Sequence, residues 1–146
     1  MVSLDQSKAF DRIEHPYLFA VLDAFGFPGG MIDALRGLYT GMHSDLVVNR
    51  VVSASFPVTR GVRQGCPLSP LLFVLSLDPF LARVERDPVV RGLPVPGSGK
   101  VVVTAYADDI TLYLEDVDSV HRVLEIFETY AQGSGASMKI RVRHCA

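Results

Sequence analysis

The chain has 146 residues, 49% hydrophobic and 21% charged, a composition that suits one globular domain and excludes a disordered segment. No apolar run is long enough to span a bilayer, and Met1 to Asp5 lacks the basic-then-apolar pattern of a secretory signal. The net charge of −2 argues against a general nucleic-acid coat, which is basic, but leaves room for an acidic catalytic centre.

Met1 to Leu4 is a short apolar run that reads as the end of a strand begun upstream, closing at Asp5. Asp5 to Arg12 is a polar turn with one aromatic, Phe10. Pro16 opens a helix, with Tyr17, Leu18, Val21, Leu22 and Phe25 on one face and Gly26 at its end. After Pro28-Gly29-Gly30 a second helix should turn Met31, Ile32, Leu35, Leu38, Tyr39 and Met42 inward. Residues 45–49 and 51–58 read as two strands, with Pro57 at an edge or an end. Residues 59–67 form a loop rich in Arg and Gly. Ser69 then caps a very apolar helix with Pro70 in its first turn; Leu71, Leu72, Val74, Leu75, Leu77, Phe80, Leu81 and Val84 fill it, and Pro79 should kink it. Residues 94–99 read as a surface loop.

Next comes a β-prone run, 101–106, two adjacent carboxylates, Asp108 and Asp109, and a second β-prone run, 110–114. This is a hairpin pattern with Ala107, Asp108 and Asp109 at the tip. Such tips favour Gly or Asn because the backbone there needs positive φ. Two carboxylates at roughly 4 Å repel by up to about 4 kcal/mol at an effective dielectric of ~20. A bound divalent cation offsets this, although a plain solvated turn is the simpler reading of Asp-Asp alone. Asp116 can cap a last helix carrying Val120, Val123, Leu124, Phe127 and Tyr130, ended by residues 133–135. Met138 to Val142 alternates as a final strand. Cys66 and Cys145 make neither a disulfide framework nor a zinc site, so a reducing intracellular setting, nuclear or cytoplasmic, is expected. His15, His43, His121 and His144 show no ligand spacing. Strands and helices mix without regular βα alternation and without repeats, so the class is α+β in one domain, 1–146.

Three separated blocks carry a resemblance. Leu4-Asp5-Gln6-Ser7-Lys8-Ala9-Phe10-Asp11 resembles the first catalytic motif of reverse transcriptases. Arg63-Gln64-Gly65-Cys66-Pro67-Leu68-Ser69-Pro70 resembles their second, in the form found in non-LTR (LINE-type) retrotransposons and group II introns. Tyr106-Ala107-Asp108-Asp109 resembles their third, and Gly135 to Ile140 a fourth, although Met138 stands where Leu is usual and residues 141–146 depart from the pattern.

The resemblance implies the palm of a right-hand polymerase, a ferredoxin-like antiparallel sheet backed by helices. It also implies an RNA-directed DNA polymerase that adds dNMP to a primer 3′ end. RNA template, DNA primer and dNTPs would be its partners. Two Mg²⁺ ions would be its cofactors, with Mn²⁺ as a substitute. Asp5, Asp108 and Asp109 would cluster within metal-bridging reach, helped by the Gln6 backbone carbonyl. Phe10 would lie under the sugar and exclude a 2′-hydroxyl; otherwise it is a core phenylalanine. Arg63, Gln64 and Gly65 would meet nucleotide or template, while Arg63 alone could equally be a solvated charge. Lys139 would act near the leaving pyrophosphate, or be a solvated strand lysine. The fingers precede the first motif in this family and the thumb follows the fourth. Both are expected to lie outside these 146 residues, so the chain alone is expected not to polymerise. The alternatives are an RNA-dependent RNA polymerase palm, and a non-catalytic remnant or nucleic-acid-binding module.

Overall fold

Alternation along Val2–Gln6 buries Val2, Leu4 and Gln6 and turns Ser3 and Asp5 to the other side, which makes this strand, β1, the axis of the main sheet. The computed structural model describes residues 1–97 and 99–142. After β1 come α1 (Ala9–Arg12), α2 (His15–Ala24) and α3 (Gly29–Tyr39). Four two-residue strands follow: β2 (His43–Ser44), β3 (Val47–Val48), β4 (Val51–Val52) and β5 (Phe56–Pro57). Then come α4 (Ser69–Arg86), β6 (Leu93–Val95), β7 (Gly99–Val101), β8 (Val103–Tyr106), β9 (Asp109–Leu112), α5 (Val117–Ser134) and β10 (Met138–Val142). The expected mixed helix-and-strand class and the final strand are both present.

The main sheet has the order β10-β1-β9-β8, antiparallel throughout. Its apolar face, with Val2, Leu4, Ile110 and Leu112, belongs to one buried cluster with Leu18 and Leu22 of α2, Phe73 and Phe80 of α4, and Val123 and Phe127 of α5. Each such side chain contributes about 1.5–3 kcal/mol on burial. The polar face carries Ser3, Asp5, Asp109 and Thr111, none of them buried. Helices α4 and α5 are further tied by Asp87. Its Oδ2 accepts from Arg122 Nε at 3.1 Å and Nη2 at 3.0 Å, and its Oδ1 from the Val89 N–H at 3.0 Å.

Several inward positions differ from expectation. Phe25 is 47% exposed, because Gly26 (φ +78) is already turning the chain away; Phe19 is buried instead, edge-on to Tyr39. In α3 the buried stripe is Ile32, Leu35 and Tyr39, so Met31 and Leu38, one residue off it, face outward. In α4 Leu71 and Val74 are exposed, while Phe73 and Ser76 join the buried face. Ser76 can do so because its Oγ donates to the Phe73 carbonyl at 2.7 Å. Ser69 is the first helical residue and not the cap, which falls on Leu68. Helix α4 runs on past Pro79. The strands expected over 45–49 and 51–58 are two small ribbons, β2–β5 and β3–β4, with Asn49 and Arg50 both at positive φ in the tight turn. The expected loop at 94–99 is a β6–β7 hairpin, with Ser98 outside the described residues. Asp116 does cap α5, accepting from the Ser119 N–H at 2.7 Å, and Gly135 (φ +75) ends it. The tail 143–146, with His144 and Cys145, lies outside the described residues. No described helix is long and apolar enough to cross a membrane.

Candidate active site

The sheet register builds the acidic row. Asp5 on β1 lies directly opposite Asp109 on β9 and opposite Lys139 on β10. Directly opposed residues share a face, so two carboxylates and one ammonium line up across three strands on the side away from the core. Asp108 sits at the β8–β9 turn. The tip is the pair Ala107-Asp108, because Asp109 already pairs with Tyr106 as the first residue of β9. Ala107 takes φ +51, which is the positive φ that such a tip requires. Asp5 and Asp108 are half-buried, and Asp109 and Lys139 are exposed.

Among the described residues, no three His, Cys, Asp or Glu side chains are grouped so as to hold a metal ion. The donor chemistry nevertheless suits a hard cation: oxygen ligands only, with two like charges opposed across a strand pair. Gln6 pairs with Met138 at the end of β1; its side chain is buried and its Nε2 has no hydrogen-bond partner.

Five residues beyond Asp5, Phe10 stacks on Phe73, ring centroids 4.7 Å apart and planes 22° apart. It lines an open cleft of ≈ 590 Å³ with Arg63, Gln64, Gly65 and Cys66. The two segments are bolted together. The Val62 N–H donates to the Phe10 carbonyl and the Gly61 N–H to the Ile13 carbonyl, both at 2.7 Å. A Cβ on Gly61 (φ +85) would lie 2.8 Å from the Asp11 carbonyl oxygen, so the contact needs glycine. Gln64 Nε2 donates to Asp11 Oδ1 at 3.0 Å, and Arg63 Nε to Met42 Sδ at 2.7 Å. His15 Nε2 donates to the Gly61 carbonyl at 2.9 Å, a structural role. Phe10, Arg63, Gln64 and Gly65 thus share one cleft, and Asp5, Asp109 and Lys139 one row.

The family model for reverse transcriptase (RNA-dependent DNA polymerase) matches residues 1–141. The chain belongs to the reverse transcriptase family. It is 38% identical over 135 residues to the transposon TX1 uncharacterized 149 kDa protein of Xenopus laevis, covering 92% of this chain and 10% of that protein. It is 36% identical over 118 residues to the Pol polyprotein of the type-1 retrotransposable element R2 of Popillia japonica, covering 81% of this chain and 19% of that one. With the R2DM Pol polyprotein of Drosophila melanogaster it is 37% identical over 115 residues, 79% of this chain and 10% of the relative. The chain therefore spans between a tenth and a fifth of these relatives. All are transposon proteins, in keeping with the non-LTR form of its second motif.

Within this reverse transcriptase segment, three contributors escaped sequence reasoning. Asp11 anchors Gln64, Gly61 permits the close approach to α1, and Phe73 supports Phe10. The second aspartate of the first motif was the available signal for Asp11. Phe73 had none, being one apolar residue in an apolar helix.

Proposed function

We propose that the chain is the palm core of an RNA-directed DNA polymerase, extending a DNA primer with dNTPs on an RNA template inside the cell. The observation that carries this is the strand register setting Asp5 opposite Asp109, with Asp108 at the adjoining turn. Asp5 and Asp108 would hold two Mg²⁺ ions, with Asp109 and the Gln6 carbonyl assisting. When bound, such ions neutralise the triphosphate and lower the pKa of the primer 3′-hydroxyl. The other groups bind and orient. Phe10, backed by Phe73, would form a floor that a ribose 2′-hydroxyl meets and a deoxyribose clears, which favours a DNA over an RNA polymerase. Gln64 and Gly65 would border the nucleotide, and Arg63 would face phosphate or template. Lys139, opposite Asp5, would offer a proton from Nζ to the departing pyrophosphate.

The test is a graft. This segment replaces the matching segment of a full-length relative, and RNA-templated primer extension is measured with Mg²⁺ and dNTPs. Extension that is lost on Asp108→Asn is the expected result. A graft that folds and binds primer–template but does not extend would refute the reading.

A further inference from the structure

The open cleft beside Phe10 does not end at the second motif. Arg63 and Gln64, which border it, also line a second hollow of ≈ 470 Å³ beside the β2–β5 ribbon. Met42, His43 and Val58 are common to that hollow and to a third, of ≈ 590 Å³, which reaches Arg36 in the last turn of α3. Shared walls make the three one continuous trough from Phe10 to the end of α3.

The charge of the trough has one sign. Arg63, Arg60 and Arg36 line it, with His43 between the last two hollows, and among the described residues no Asp or Glu does so. The whole chain carries a net charge of −2, so these cations are gathered against the overall balance. They are also held without being neutralised. Arg36 stands over the Phe19 ring, 5.0 Å from its centroid, and Arg63 Nε donates to Met42 Sδ at 2.7 Å. Such partners place a guanidinium and leave its charge intact. At the margin, Arg60 reaches Glu14 at 3.9 Å with both side chains exposed, a pair weak enough to open for a better anion. Asp11 is engaged by Gln64. His43 turns Nδ1 to the Gly41 carbonyl at 2.9 Å, which leaves Nε2 to meet a ligand.

We propose that the trough is a binding track for a single-stranded polynucleotide, whose phosphates Arg63, Arg60 and Arg36 neutralise one after another. A ligand with one charge per repeat suits cations distributed along successive hollows, whereas a single anion needs them converged on one point. Each hollow has the volume of a small-molecule site, which gives room for a nucleotide unit. The exposed His43 ring offers a base a face to stack on. That the strand is the RNA template rests on the proposed function; phosphate binding along the trough does not.

The experiment is fluorescence anisotropy of a labelled oligouridylate RNA with the 146-residue chain across a range of NaCl concentrations. Three neutralised phosphates on a single strand predict that log K falls against log[salt] with a slope of about 2. Arg36→Gln and Arg60→Gln, each checked for an unchanged Tm, should each weaken binding several-fold and reduce that slope by about 0.7. Arg86→Gln, on α4 and outside the trough, should change neither. Absence of binding, or a double Arg36→Gln, Arg60→Gln chain that binds RNA as wild type does, overturns the proposal. Displacement of the RNA by polyglutamate as readily as by unlabelled RNA also overturns it, in favour of an acidic protein. In the graft, the same double variant should raise the template KM and spare kcat. A graft that binds RNA along the trough yet never extends a primer speaks against the polymerase reading alone.

Discussion

Ala107 allows the acidic hairpin to be tested without touching a carboxylate. It holds φ +51 at the first place of the two-residue tip. The left-handed conformation costs an alanine about 1–2 kcal/mol. Glycine removes that strain but gives the unfolded chain about 0.4–1 kcal/mol more entropy to lose. Strain exceeds entropy, so Ala107→Gly should stabilise by roughly 0.5–1 kcal/mol. Unfolding entropy is about 2.1 cal/mol/K per residue, so over 146 residues about 1 kcal/mol moves Tm by about 3 °C. Ala107→Gly should therefore melt about 2–3 °C higher. Ala107→Val, with a branched side chain in the same conformation, should melt lower than wild type. The assay is differential scanning calorimetry of the three chains. A glycine variant that melts lower, as at an ordinary alanine in an exposed loop, would refute the left-handed tip and with it the placement of Asp108.

Three further outcomes are expected. Phe73→Ala should cost about 3–5 kcal/mol in urea unfolding, since Phe73 is fully buried and stacked on Phe10; a loss below about 1 kcal/mol would mean that Phe10 has no such support. In the grafted enzyme Phe10→Val should admit ribonucleotides more readily, read as the ratio of kcat/KM for rNTP over dNTP; an unchanged ratio would leave Phe10 a core residue. The Arg122 hydrogen bond holds the Asp87 carboxyl below the usual carboxylate range. The folded value is thus depressed, so its stabilisation is full above the unfolded value of about 3.9 and is lost as pH falls through the folded one. Arg122→Leu should flatten the acid decline of the urea midpoint, and an unaltered decline would show that the pair adds nothing there.

What the sequence revealed, it revealed where local chemistry is decisive. Asp116 and Gly135 end α5 by a side-chain cap and a left-handed glycine, both local devices visible in the residue types. A short apolar run placed β1, alternation placed β10, and two β-prone runs placed the β8–β9 hairpin, with a tip one residue longer than the Ala107-Asp108 pair observed. Register was not visible. Nothing local to Asp109 says that it pairs opposite Asp5 and not one residue along, because that choice is made across the sheet. Helix faces failed for the same reason. Leu71 and Val74 are as apolar as Leu72 and Phe73, and only the packed neighbours decide which pair turns inward. The cleft was half visible. The second motif marks Gln64 and Gly65, but the Asp11 and Gly61 contacts that hold them beside Phe10 depend on segments about fifty residues apart meeting.

The central claim, that Asp5, Asp108 and Asp109 together take up divalent cations, is tested most directly by paramagnetic broadening. Sub-stoichiometric Mn²⁺ is added to the isotope-labelled chain and the amide signals are followed residue by residue. The expected result is that residues 5, 108 and 109 broaden first, that excess Mg²⁺ reverses the effect, and that Asp108→Asn weakens it. Broadening centred elsewhere, or unchanged in Asp108→Asn and in Asp5→Asn, would contradict the claim.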